Sequence, residues 1–407
     1  MQPQEVRAVG RLGVHAYAGA VSHIEKAHCA LASLSFKSIP AAAPLQPVHD
    51  AVARTAYRAV RGIGSLAGTG ASEALALAAT GPGHKAMGST GRSNHAQAAL
   101  NAAVGDRLSE EDNPLAIRMA LRSGGHDIAI DTASFNGMFP VATPKIAVFV
   151  HGFGEADDSW RLNSGQGRET YGRRLAAELG YCDLYVRYNT GRHVSHNGRD
   201  LSQLLSELPS AWPVSLEEIL LVGHSMGGLV IRSATHYGDE DHAAWVPLVR
   251  HIFLLGSPNL GAPLARLTHI PARAAAKQKD RLPFAPLLTT RSGGVDDLRF
   301  GYLLDEDWDG CDSATCPADH RHDVPLLATA DHYTVSATVP RAPGNPLGEL
   351  VGDLLVQPAS AHGRRRRQQH IAFDVENRHE FAGRHHFQLL NDQGVYAAIR
   401  KRLEASA

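Results

Sequence analysis

The sequence predicts an α/β fold: a mostly parallel sheet covered by helices on both faces, with a helical N-terminal region and a lid insertion. Three observations carry that prediction. Apolar segments of strand length alternate with helical segments from about residue 141 to the end, the order that builds parallel sheets. Segments such as "KIAVFV" and "EILLV" are continuous rather than alternating, as expected of strands buried on both faces. One of them opens straight onto "GHSMGG", Gly223 to Gly228, at the strand end where such sheets carry their sites.

The elements follow in chain order. Residues 1–140 are rich in alanine and glycine and read as a helical region of open role. Val48, Val52, Ala56, Val60 and Ile63 recur at helical spacing, Leu100, Val104 and Leu108 mark a second helix, and Asn113-Pro114 suits the start of a third. Residues 141–407 form the second unit. Its expected strands are Lys145 to Val150, Asp183 to Tyr188, Glu218 to Val222, His251 to Gly256, Tyr333 to Thr338 and His370 to Val375. Its expected helices are Arg168 to Leu179, Asp200 to Leu208, Leu229 to Ala234 and Val395 to Leu403. Right-handed crossovers gather the carboxyl ends of the strands, and the loops that leave them, on one edge. The connection from Ser257 to His332 is too long for a plain loop. It reads as a lid over that edge, at about residues 262–330.

Composition narrows the function classes. The 407 residues carry 40 basic and 41 acidic side chains, so bulk charge gives no reason to expect nucleic acid as a partner. The basic block Arg364 to Arg367 is short and reads as a solvated loop. No apolar run approaches bilayer length and Glu5 and Arg7 interrupt the start of the chain, so a cytoplasmic protein is expected. Cys29 and Cys182 are isolated, whereas Cys311 and Cys316 are close. Two free thiols, a local disulfide, or zinc shared with His320 and His322 are the alternatives there; the reading adopted has no metal and no cofactor.

Ser225 sits between Gly223 and Gly227, after an apolar strand and before a helix. That sharp turn exposes the hydroxyl as a nucleophile and aims the Met226 amide at an oxyanion. A second donor should come from the loop after an earlier strand. "HGFG", His151 to Gly154, follows the first parallel strand and supplies the Phe153 amide. The base should be a late histidine. His386 precedes Phe387, Leu389 and Leu390 just before the closing helix, with His385 as its main competitor and His379 and His362 behind. The acid should lie between serine and histidine, after a late strand. Asp353 has that place, whereas Asp331 and Asp323 precede the fifth strand. The bland alternative for Asp353 is a cap on a short helix. His151, Gly152, His224 and Leu260 are expected around the substrate pocket.

With these residues assembled, the chain resembles the alpha/beta-hydrolase superfamily, and within it the bacterial lipase and esterase branch that includes triacylglycerol-lipase-like and GPI-inositol-deacylase-like proteins. "VFVHGFG", "VGHSMGGLVIRSA", "LGSPNLGAPLA" and "HHFQLLNDQGVYAAI" carry the likeness over about residues 140–405. The resemblance implies Ser225, Asp353 and His386 as a catalytic triad and Phe153 and Met226 as oxyanion amides. Where related lipases often show Asp-Gly, this chain has Gly352-Asp353. The expected activity is hydrolysis of a small-molecule or lipid-like acyl ester through an acyl-enzyme, with transient contact to a membrane or lipid surface compatible with it. Acyl transfer, thioester or amide cleavage on the same fold, and a non-catalytic binding protein are the alternatives.

Overall fold

A computed structural model describes residues 91–405 apart from 114, 166, 263–291, 311–319, 342–347, 349–350 and 366–367. The expected helix over Val48 to Ile63, the close cysteine pair and the first part of the insertion lie outside the described residues. The chain opens with helix α1 (Gly91–Glu110), a hairpin of β1 (Ala120–Ser123) and β2 (His126–Ile128), and the short α2 (Thr132–Met138). Then come β3 (Lys145–Val150), α3 (Tyr171–Leu179), β4 (Cys182–Arg187), α4 (Val194–Ala211), β5 (Glu218–His224), α5 (Met226–Glu240) and β6 (Val249–Leu255). After the insertion, which holds α6 (Gly293–Phe300), follow β7 (Asp331–Thr338), α7 (Pro358–Ala361), the two-residue strands β8 (Arg364–Arg365) and β9 (Gln368–Gln369), β10 (Arg378–Ala382) and α8 (Gln393–Ala405).

Among the described residues, eight strands form one sheet in the order β10-β7-β6-β5-β3-β4-β1-β2. All pairs from β10 to β4 are parallel, and the β1–β2 hairpin adds on antiparallel to β4. The continuous apolar runs split by residue parity, because successive side chains of a strand point to opposite faces. Ile146, Val148 and Val150 of β3, with Leu221 of β5 and Ile252 of β6, pack under α4 and α5 through Leu201, Leu205, Leu229 and Val230. Ala147, Phe149, Val222, Phe253 and Val335 meet Leu175 of α3 and Val395, Tyr396 and Ile399 of α8 on the other face. Five consecutive side chains, Ile146 to Val150, have no exposed surface, and full burial of each large one is worth about 1.5–3 kcal/mol.

Two expectations are corrected. The sixth strand lies at Arg378–Ala382 rather than His370 to Val375, as an edge strand without an apolar run, so hydrophobicity does not mark it. No helix follows Asn113 among the described residues up to the hairpin: β1 and β2 occupy Ala120–Ser123 and His126–Ile128, turning at Gly124 and Gly125, both at positive φ. A Gly-Gly pair between short strands is a two-residue hairpin signal.

The hairpin carries a buried ion pair. Arg122 donates from Nη1 to Asp157 Oδ1 at 2.6 Å, with side-chain exposures of 4% and 6%, and its Nε stands 2.8 Å from Asp127. Removing one partner leaves the other charge buried, so Arg122→Met is expected to lower unfolding stability by about 3 kcal/mol, read as a shift in the urea midpoint.

The described part of the insertion is packed onto the sheet edge. Buried Asp297 of α6 accepts from Val194 N at 2.6 Å and faces His193 Nδ1 at 2.9 Å. The His193 ring stacks on Trp308 at 3.8 Å. Helix α1 closes the same edge, with Asn94 donating to Asp157 and Ser292 Oγ donating to Ala102 O at 2.7 Å.

Candidate active site

β5 ends where the chain must turn at once into α5, and Ser225 sits on the corner. Its amide still donates to Leu255 O of the neighbouring β6 at 2.8 Å. Its backbone then takes φ 53°, ψ −122°, a strained region for a residue with a side chain that costs about 1–3 kcal/mol. The two flanking glycines are required by contact. A Cβ on Gly223 would stand 2.6 Å from Gly228 N, and one on Gly227 would stand 2.1 Å from Val150 O. Ser225 occupies the N-cap position of α5, yet its hydroxyl makes no capping bond. The Met226 amide opens the helix, where unsatisfied N–H groups concentrate positive potential.

The loop after β3 lies against the serine. A Cβ on Gly152 would stand 2.9 Å from Ser225 Cβ. The amides flanking Phe153 are both engaged: Gly152 N donates to Glu155 Oε2 at 2.9 Å and Gly154 N donates to Thr190 Oγ1 at 3.2 Å. Among the described residues no acceptor takes the Phe153 amide.

His386 and Asp353 come together from separate loops. His386 Nδ1 stands 2.7 Å from Asp353 Oδ2, and the two side chains are 2% and 1% exposed. The main chain locks the same pair, since His386 N donates to Asp353 O at 3.1 Å. The second oxygen, Oδ1, accepts from Leu355 N at 3.0 Å and Val356 N at 2.8 Å. Asp353 therefore both organises the local turn and faces the imidazole. His386 Nε2 is buried with no hydrogen-bond partner among the described residues. A Cβ on Gly256, just past β6, would stand 3.0 Å from His386 Cε1, which sets the ring at the edge where Ser225 turns.

The electrostatics of His386 have two opposed causes. Burial pushes the imidazole down; the Asp353 charge and hydrogen bond outweigh it, Glu155 adds to them, and the group is held above its ordinary 6.5. The neighbouring His385 is half-exposed and pushed down by burial and by His386. His362 is committed elsewhere: its ring nitrogens meet Thr334 Oγ1 at 2.7 Å and Ser336 Oγ at 2.9 Å, and burial takes it to about 3.

Of the residues expected around the pocket, Gly152 lies against Ser225, and Leu260, in the chain past β6, is buried with its amide donating to Ser360 Oγ at 3.1 Å. The side chains of His151 and His224 have no exposed surface. His151 stacks on Tyr188 at 4.4 Å and its Nδ1 faces Gly152 O at 3.0 Å, so it braces the loop. His224 Nδ1 faces Glu155. Glu155 is the residue that sequence reasoning missed; an acidic residue in the loop after β3 is its only sequence signal. Leu264 and Leu267, expected near an acyl chain, lie outside the described residues.

A family model described as "Alpha/beta hydrolase family" matches residues 147–398. No curated protein matches the chain. Among solved structures, the chain is similar to the mature lipase BlEst2 of Bacillus licheniformis, at 18% identity and TM-score 0.41, covering 64% of this chain and 91% of that one. An esterase of Pyrobaculum calidifontis aligns at 15% identity and TM-score 0.35, covering 64% and 75%. The type II thioesterase YbtT of a yersiniabactin pathway aligns at 14% identity and TM-score 0.34, covering 65% and 93%. With the fold, the elbow and the family match together, the chain belongs to the alpha/beta hydrolase family.

Proposed function

We propose that this hydrolase is a serine carboxylic-ester hydrolase working through Ser225, His386 and Asp353. The observation that carries the reading is the buried 2.7 Å contact between His386 Nδ1 and Asp353, with Nε2 unpartnered among the described residues at the edge where Ser225 turns. Ser225 Oγ attacks the acyl carbonyl while His386 Nε2 takes its proton. The carbonyl oxygen gains the negative charge and is met by the Phe153 and Met226 amides. One such donor is worth about 3–4 kcal/mol in the transition state. The tetrahedral intermediate collapses, and His386 gives its proton to the departing alkoxide oxygen. Water then attacks the acyl-enzyme, giving a proton to His386, and the carboxylic acid leaves with Ser225 restored. Asp353 keeps the Nδ1 proton in place throughout and stabilises the imidazolium. The lid-sized insertion and the apolar Phe153 and Leu260 favour an acyl ester with an apolar chain. No helix among the described residues is long and apolar enough to cross a membrane; a lipid-like substrate would be met at the loop edge.

A pH profile tests the base. Only neutral His386 accepts the Ser225 proton. Its value is held above 6.5, so kcat/KM for a p-nitrophenyl ester is expected to fall as pH drops through a point above 6.5. An acid limb centred near 4 or 5 would instead indicate a carboxylate base. A panel of acyl lengths, with water and with an added alcohol as acceptor, separates hydrolysis from acyl transfer and reads the chain preference.

A further inference from the structure

Beside Asp353 and His386 stands a second buried carboxylate and imidazole, which the steps above leave unused. Glu155 follows the loop after β3 and is 7% exposed. Its Oε1 lies 2.9 Å from His224 Nδ1. Its Oε2 accepts from Gly152 N at 2.9 Å and stands 3.1 Å from the same Nδ1. The His224 ring lies 4.7 Å from that of His386. His224 Nε2, like His386 Nε2, is buried with no hydrogen-bond partner among the described residues. A buried ionised carboxylate persists only where its partners offset its desolvation. Here they do: burial pushes Glu155 up, and His224, the Gly152 amide and His151 outweigh it and hold the carboxyl below its usual value.

We propose that Glu155 is a positioning residue of this active site, acting at two points. Through the Gly152 amide it fixes the loop whose next amide, on Phe153, meets the oxyanion. Through its charge, past the flank of His224, it stabilises the imidazolium that forms on His386. The groups facing His386 are Asp353 from the loop after β7, Glu155 from the loop after β3, His224 from the end of β5, and its neighbour His385. His151 lies near Glu155, with Asp157 beyond it. Asp353 provides the larger upward push on His386 and Glu155 a further one in the same direction. The β3 loop and the elbow thus share one buried carboxylate, so the oxyanion donors and the base are set together.

This inference rests on the reading of Ser225 and His386, and the test keeps the two apart. Glu155→Gln keeps the side-chain shape and an oxygen for Gly152 N, and removes the charge. Removing a nearby negative charge favours the neutral imidazole. The acid limb of kcat/KM is therefore expected to move to lower pH by about half a unit, with kcat down about tenfold and KM within about twofold. A purely structural role would lower activity without moving the limb, and an unmoved limb in folded E155Q overturns the proposal. Should E155Q not fold, Glu155→Asp replaces it. The shorter side chain cannot span Gly152 N and His224 Nδ1 together, so kcat should fall at held KM, and wild-type kcat overturns the proposal. Retained turnover in Ser225→Ala would sink the underlying reading instead, whatever Glu155 does.

Discussion

Ser225→Ala is expected to lower kcat/KM for p-nitrophenyl acyl esters by about ten-thousand-fold or more while leaving the unfolding midpoint close to wild type. The separation of activity from stability follows from the geometry. The hydroxyl makes no capping bond to α5, so its loss strands no partner. Alanine keeps a Cβ on the same strained φ of 53°, so the backbone cost of the elbow is unchanged. What disappears is the proposed nucleophile. The residual rate would come from binding and from the oxyanion amides, which the substitution does not touch. A variant within tenfold of wild type would remove Ser225 from the chemistry.

Asp353→Asn has the second-largest expected effect and tests the orientation of the base. Oδ1 of Asp353 is committed to two main-chain amides, Leu355 N and Val356 N. In the asparagine variant the oxygen stays with those amides and the NH2 group faces His386 Nδ1. Two donors cannot meet, so Nδ1 loses its proton and Nε2 gains it. That tautomer cannot accept a proton from Ser225, and kcat should fall by about a thousandfold to ten-thousandfold. The loss also removes the main upward push on His386, so any remaining acid limb should lie at lower pH than in the wild type. Activity within tenfold of wild type would show that another carboxylate holds the imidazole.

The parallel core was legible because burial on both faces writes itself as continuous apolar runs. Lys145–Val150 and Glu218–His224 were read to within about two residues for that reason. β10, "RHEFA", was not legible: none of its five residues is fully buried, so periodicity has nothing to register. The β1–β2 hairpin was hidden by its length and by the buried charge of Arg122, although Gly124-Gly125 marked its turn. Chain order and neighbouring strands single out Ser225, Asp353 and His386 as candidates, and Asp353 and His386 do meet; their catalytic roles are the proposal. The contact of His224 with Glu155 was not legible, because it joins the end of β5 to a loop position 69 residues away with no spacing rule between them. The helical reading of the N-terminal region missed what α1 does, since its docking runs through isolated polar contacts such as Asn189 Nδ2 to Gly105 O at 2.8 Å. The division at residue 140 remains a proposal, with β1 and β2 hydrogen-bonded into the same sheet as β3.

The most direct measurement is labelling of the folded protein with a fluorophosphonate probe, followed by mass spectrometric mapping of the modified peptide. One stoichiometric adduct on Ser225 is expected, formed faster as pH rises through the His386 limb and absent in Ser225→Ala. Labelling on a different serine, or no labelling of folded wild-type protein, would contradict it.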